Sequence, residues 1–443
     1  MSKRGWGSDV HTVLLIMALS FAHGSLAWNA ADVATTVYTV SGLAFQPKAI
    51  IVQINGQSSA TDAITNTTDA RVCVGVGTGT ADRRCQGFYE DDAAATMDTA
   101  EIYRDDAILA TVSAAGAADG LLDLNSITSD GFTLIVDDAA PADLRVFWWA
   151  FGGADITNQQ TGEITEPGAT GVVSYTVGAG WQPDVVVFAG CPLTAAPPTA
   201  AEISSGLMIG AASGTAAGSQ WVFWGTSENA VAQSNTNRYG KSGECVALMP
   251  VTGGNPDATA VLNAFDAAGF DLNWTARAST RKLIYLALQG GSWAAGNSTI
   301  DMTTIGNTSV ISGLAFAPVG VLIASHGQVE NTAATGAAGH LWSLGGFSST
   351  TSRRTQHFNS IDDQIDAVVV MGISYDEVLV FLISTGTEAE IDVSAMASDG
   401  FTLTVDDAIA RTAFYGYLAF GDEPAGAAAF RPLKRRQLLG VGH

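Results

Sequence analysis

The chain of 443 residues sets 43 acidic against 20 basic side chains, a formal net charge of -23. That balance weighs against a nucleic-acid partner, because a phosphate backbone rewards Lys and Arg. Only 14% of the residues are charged and 47% are hydrophobic, so sizeable cores can be buried. The abundance of Gly, Ala, Thr and Ser beside Val and aromatic residues favours sheets and turns over long helices.

Residues 1–35 form an N-terminal apolar segment that is anchor-like or signal-like. Lys3 and Arg4 precede the run Val13–Phe21, and Ser25-Leu-Ala27 follows, which together match a secretory signal cleaved before Trp28. The apolar run is too short for a membrane-spanning helix, which needs about 20 apolar residues. The competing expectation is a buried strand or an anchoring helix docked on a partner.

A first repeat is expected over 36–153. Val37-Tyr-Thr-Val40 alternates as a strand does, Ser41-Gly42 turns, and Pro47 sets the start of the next strand near Ala49. In Arg71-Val-Cys-Val-Gly-Val-Gly-Thr-Gly79 the glycines leave one strand face bare, so another backbone can approach closely. The run lacks the Lys-Ser/Thr of a phosphate-binding loop. Ser129-Asp-Gly-Phe-Thr-Leu-Ile-Val-Asp-Asp138 then reads as the first strand and turn of a closing hairpin, with Leu144–Phe151 returning.

Residues 154–170 read as a linker. A second repeat follows over 171–291 and a third over 308–421, and a basic tail closes the chain over 422–443. Ser312-Gly-Leu-Ala-Phe316 is identical to Ser41–Phe45, and Ser398-Asp-Gly-Phe-Thr-Leu403 repeats the motif of the first repeat. Pro47, Pro183 and Pro318 stand 136 and 135 residues apart, and Gly131, Gly269 and Gly400 keep the same register. The structural motif is therefore Gly131, Phe132 and Leu134, then Gly269, Phe270 and Leu272, then Gly400, Phe401 and Leu403. The expected fold is all-β: three tandem β-sandwich, jelly-roll-like repeats with independent cores and short terminal extensions.

Candidate chemistry is sparse. The acidic pairs Asp91-Asp92, Asp105-Asp106, Asp137-Asp138, Asp362-Asp363 and Asp406-Asp407 suggest calcium or a glycosidase dyad. Neighbours in a strand face opposite sides, however, and the middle repeat has Thr275-Ala276 instead, so solvated turns are the favoured reading. His326, His340 and His357 share one repeat without metal-ligand spacing. Cys73 with Cys85, and Cys191 with Cys245, are either disulfides or free, half-buried thiols. No catalytic, cofactor-binding or metal-ligating residue is nominated, and no cofactor is expected. In Phe147-Trp-Trp-Ala-Phe151 both strand faces carry aromatics. Trp148 and Trp149 are thus a candidate exposed aromatic interface, for a subunit or for a sugar.

The repeated grammar Gly-Leu-Ala-Phe-x-Pro, a Gly-rich strand, and Asp-Gly-Phe-Thr-Leu spans about residues 37–421. It resembles repeats in structural proteins of tailed bacteriophages, of the tail-fibre and head-decoration kind. The resemblance implies β-rich modules that oligomerise on a virion surface, often as trimers, and carries no functional residues with it. The expectation is a non-enzymatic virion structural protein that stabilises the particle or mediates host adhesion. Its partners would be other capsid or tail proteins, further copies of itself, and a host-surface glycan. The alternatives are a secreted bacterial adhesin or filament subunit, and a carbohydrate-binding or polysaccharide-active module.

Overall fold

The computed structural model describes residues 19–249, 255–331, 337–383 and 386–422. Within them the protein is all-β, with 33 strands in six antiparallel sheets and a single 3-10 turn at Ala217–Ser219. The signal-like run up to residue 18 and the basic tail from residue 423 lie outside the described residues.

The first repeat runs β1 (Ser20–Trp28), β2 (Val37–Val40), β3 (Pro47–Ile54), β4 (Ala63–Thr65), β5 (Ala70–Gly79), β6 (Asp82–Glu90), β7 (Thr99–Arg104), β8 (Leu109–Val112), β9 (Ala118–Thr128), β10 (Gly131–Asp138) and β11 (Leu144–Gly152). One sheet has the order β1-β11-β3-β5-β6-β7, and the facing sheet has the order β2-β10-β9-β8. Strands β12–β22, from Asn158–Thr165 to Lys282–Gln289, repeat this order. So do β23–β33, from Ser292–Asp301 to Thr412–Gly421. The larger sheet gains a seventh strand from another repeat, so the unit departs from an eight-stranded jelly roll.

Backbone proximity explains the repeated glycines. A Cβ on Gly131, Gly269 or Gly400 would overlap the carbonyl oxygen of Val40, Tyr175 or Ile311 on the neighbouring edge strand. A Cβ on Gly75, Gly210 or Gly345 would overlap the carbonyl of Ile108, Cys245 or Val378, each the residue just before an edge strand of the opposite sheet. The bare face expected of the Gly-rich strand is therefore where the two sheets of each sandwich come closest. Phe132, Phe270 and Phe401, with Leu134, Leu272 and Leu403, are buried in the sandwich cores.

Three expectations need correction. First, β10 and β11 are not a hairpin: β10 pairs with β2 and β9, while β11 pairs with β1 and β3. The Asp-rich turn crosses between sheets, and Phe132 meets Trp148 edge-on across the core at 5.5 Å. Period-two alternation is the same in either sheet, so it could not assign the partner.

Second, the repeats begin earlier than 36, 171 and 308. Ser20–Trp28 pairs along its whole length with β11, Asn158–Thr165 with Lys282–Gln289, and Ser292–Asp301 with Thr412–Gly421. The proposed linker and part of the N-terminal segment are thus the outermost strand of each large sheet. Gly24, Gly162 and Gly296 leave room in these strands for the rings of Trp148, Tyr285 and Tyr417. Cleavage before Trp28 would fall inside β1.

Third, the cores are not independent. Each sandwich has its own apolar core, but a fourth core draws on all three repeats. It contains Ile51, Val187 and Leu322, which the strand register makes equivalent, and likewise Val74, Ile209 and Leu344. A cavity of about 30 Å³ lies among them. Trp149 belongs to this central core and is fully buried, while Trp148, at 7% exposure, belongs to the first sandwich core. The aromatic pair at Trp148 and Trp149 is apolar on both faces, as expected, but not exposed: the facing sheet of its own repeat covers Trp148, and the sister repeats cover Trp149.

Short arms lock the repeats cyclically. The arm Thr199–Ala201 of the second repeat adds to β7 of the first. Ala337–Ala338 of the third adds to Thr236–Ser242 of the second. Strand β4 of the first adds to Val369–Ser374 of the third. Each repeat gives its arm to the preceding one and the first gives to the last, so the three form a closed ring.

Candidate functional site

Of the described residues singled out from sequence, only His357 and Asp406 line a common pocket. His326 faces Asn331 at 3.3 Å and Phe223, His340 meets Glu90 at 2.9 Å, and His357 lies in the interior of the third repeat. Among the described residues, no histidine joins a possible metal-binding group. All four cysteines are free and buried. Cys191 lies in the central core and Cys245 in the second sandwich core, so that proposed disulfide is excluded. Burial pushes the Cys85, Cys191 and Cys245 thiols up, which leaves them unreactive. Asp362 accepts from the Thr236 N–H at 2.7 Å and Asp106 pairs with Arg104 at 2.8 Å, both structural roles.

Two sites emerge from the fold instead. The first is a buried polar layer between repeats. By register, Ala70, Ser205 and His340 begin equivalent strands, while Glu90, Ser227 and Ser360 end the strands paired with them. Glu90 Oε1 accepts from Ser205 Oγ at 2.6 Å and lies 2.9 Å from His340 Nδ1, and Ser227 Oγ is 3.2 Å from the same nitrogen. One residue of the first repeat, two of the second and one of the third thus meet at equivalent strand ends. Phe88 and Phe358 pack against the imidazole at 5.1 and 5.0 Å. Gly225 stands where these phenylalanines do, because a Cβ there would overlap the His340 ring. The layer is sealed from solvent and holds repeats together; it offers no substrate a way in. Replacing Glu90 by Ala leaves buried donors from two other repeats unanswered. The expected loss is about 3 kcal/mol, read from chemical unfolding of the full chain, and a loss under about 1 kcal/mol would contradict the assigned role.

The second site is an acidic pocket of about 400 Å³ in the third repeat, open to the surface. Glu377 precedes the strand Leu379–Ile383, Glu390 lies in Gly386–Ala397, and Asp406 is the penultimate residue of Gly400–Asp407. Lateral strand pairing brings them together: one carboxylate oxygen of each lies within 4.8 Å of the others. Asp62, beside β4 of the first repeat, lines the same pocket with Ser374, Asp376 and His357. Glu377 is only 6% exposed. Burial, then the charges of Asp392, Glu390 and Asp376, push its carboxyl up to about 9. Burial, then Asp407 and Asp406, raise Glu390. Burial also raises Asp62, with Asp376 adding to it. His357 is held down at about 3 by burial and stays neutral. Arg353 pairs with Asp392 at 2.7 Å and donates to the carbonyls of Asp376 and Thr350.

Of these residues, only the pair Asp406-Asp407 and the histidine had been considered from sequence. Glu377 and Glu390 carried no local signal. No protein-family model matches the chain, and no curated protein sequence matches it.

Proposed function

We propose that the chain is a non-enzymatic structural protein of a virion surface, acting as a rigid threefold-shaped body made from one polypeptide. The observation that carries this reading is the cyclic exchange of arms around a shared apolar core. It supplies within one chain the threefold form that the bacteriophage resemblance implies for a homotrimer. On this reading the partners are other capsid or tail proteins rather than two further copies. The buried positions of Trp148 and Trp149 remove the surface on which a sugar would have stacked. Variable loops between the repeated strands are then the surfaces for particle contact or host adhesion.

Gold-labelled antibody on purified particles, with peptide mass spectrometry, tests the proposal. The protein should co-purify with particles, label their outside, and yield peptides covering Ser20–Trp28. Recovery only as a soluble extracellular species starting at Trp28 would overturn it.

A further inference from the structure

The three seams between repeats fill the same chain positions in different ways. By register, Arg84, Trp221 and Arg354 are equivalent, and so are Asp82, Ser219 and Ser352. On the outer strand facing them from the next repeat around the ring, Thr161, Ala295 and His23 are equivalent, as are Glu163, Asn297 and Ser25. Between the first and second repeats, two carboxylates accompany the arginine. Asp82 accepts from the Thr161 hydroxyl at 2.5 Å and from the Thr161 N–H at 3.0 Å. Arg84 donates to the Tyr103 hydroxyl at 3.3 Å, which in turn donates to Glu163 at 2.7 Å. Between the second and third repeats Trp221 takes the place of the cation, and its indole donates to the Tyr417 carbonyl at 2.8 Å. The seam that closes the ring keeps the cation and loses both carboxylates, because Ser352 and Ser25 stand where Asp82 and Glu163 do.

Arg354 Nε donates to His23 Nδ1 at 2.8 Å, and its guanidinium lies over the rings of Phe147 and Tyr375 at 5.6 and 5.7 Å. Among the described residues no carboxylate forms an ion pair with it, whereas Arg83, Arg104, Arg281 and Arg353 each hold one. Burial, opposed by Tyr375, pulls the guanidinium down to about 10, so it is still charged at neutral pH. Hydroxyls surround this cation. Ser352 Oγ and Ser348 Oγ lie 3.1 and 3.4 Å from His23 Nε2, and Ser25 Oγ lies 3.4 Å from the Tyr375 hydroxyl. Each of these residues is half-buried rather than sealed, so the group opens to solvent.

We infer that Arg354 binds the carboxylate of a small hydroxy acid of the uronic-acid class, at the seam where the first and third repeats close the ring. The guanidinium fork matches a carboxylate through two parallel bonds. Ser25, Ser348 and Ser352 supply donors and acceptors for the hydroxyls of such an acid. His23, held neutral chiefly by burial, adds no second positive charge, so the site balances one negative charge and favours a carboxylate over a phosphate. Arg354, Ser348 and Ser352 come from the third repeat and Ser25 from the first, so the bound acid bridges two repeats that the chain itself does not join directly. The net charge of -23 opposes any anion, which limits the affinity to the millimolar range.

The test is calorimetric titration of the full chain with sodium glucuronate at fixed ionic strength, beside neutral glucose and inorganic phosphate, paired with thermal unfolding. Saturable glucuronate binding with a Kd on the order of 1 mM is expected, with no saturable heat from glucose. The Tm should rise by about 3 °C at about a hundredfold excess over Kd. Arg354→Gln should bind at least about tenfold more weakly. Because that variant also loses the contacts to His23, Phe147 and Tyr375, Ser25→Glu is the second arm, restoring the carboxylate that Glu163 supplies at the sister seam. It should raise the Tm in the absence of glucuronate and bind glucuronate at least about tenfold more weakly. Absence of saturable heat in the parent overturns the site whatever the variants do. Equal binding of glucose or phosphate, or undiminished binding by either variant, overturns it too. None of these outcomes depends on the virion reading.

Discussion

A chain beginning at Trp28 is expected to fail to form the closed ring. Strand β1 covers the outer edge of β11 residue for residue, from Ser20 opposite Gly152 to Trp28 opposite Leu144. Without it, β11 presents a bare edge carrying Phe147, Trp148, Trp149 and Phe151, which invites aggregation. The loss extends beyond one sheet. The Leu19 N–H donates to Asp422 at 2.7 Å, and the Phe21 ring sits 5.3 and 4.8 Å from Phe151 and Phe420. Arg354 Nε donates to His23 Nδ1 at 2.8 Å. Three of these partners belong to the third repeat, so β1 closes the ring as β4 does. Ladder hydrogen bonds contribute about 1 kcal/mol each, and a buried aromatic adds about 2 kcal/mol. Their sum rivals the entire stability of about 5–15 kcal/mol that a protein has to lose. Circular dichroism and size-exclusion chromatography of 28–443 beside the full chain measure this. A monomeric truncated protein with an unchanged melting temperature would show that β1 is dispensable.

The pH response of the ring has opposing parts. His23, His326 and His357 are held near 3, chiefly by burial. Each folded value is below the unfolded value of about 6.5, so their contribution is complete above that pH and is lost as pH falls toward 3. Glu377 runs the other way. Its folded value of about 9 lies above the unfolded one, so its contribution is present in acid and disappears as pH rises to 9.

How far the sequence could be read follows from the range of each signal. Gly131-Phe-Thr-Leu134 and its copies are legible because a backbone contact forbids any other residue at the glycine. The doubled aromatic face of β11 correctly announces two apolar surroundings. It cannot announce that the second is a neighbouring repeat, since burial by another part of the chain and by another molecule have the same composition. The outer strand Asn158-Gln-Gln-Thr-Gly-Glu163 reads as a linker because it alternates no apolar residues. Its one trace is the glycine that Gly24, Gly162 and Gly296 share, at 23, 21 and 22 residues before Pro47, Pro183 and Pro318. The exchanged arms have two or three residues each, too few to show a period. The acidic pocket escapes notice for a related reason. Glu377, Glu390 and Asp406 are neighbours across three strands, whereas the conspicuous pair Asp406-Asp407 splits between faces.

Trp149→Ala is expected to destabilise the whole ring, and Trp148→Ala to act chiefly on the first repeat. Both remove a buried indole and should cost about 3–5 kcal/mol before relaxation. The difference lies in what surrounds the space left behind. Trp148 packs within the first sandwich against Phe132. Trp149 lies in the central core, where Gly346 of the third repeat gives way to it, as a Cβ there would overlap the indole. The cavity of about 30 Å³ is already lined by residues of all three repeats, including Val187 and Leu322. Removing Trp149 enlarges it, and Val185–Gly190 and Pro318–Ser325 lose contacts although they lie in other repeats. Hydrogen exchange is the measurement that separates the cases. In Trp149→Ala, amides of those two strands should exchange faster together with β11, and melting should remain a single transition at a lower temperature. In Trp148→Ala the faster exchange should stay within β1–β11. If Trp149→Ala leaves protection in the second and third repeats unchanged, the three sandwiches are energetically separate and the central core holds them by proximity alone. The coupled outcome means that the ring folds and opens as one body, because its only route to burying these sheet faces is to close.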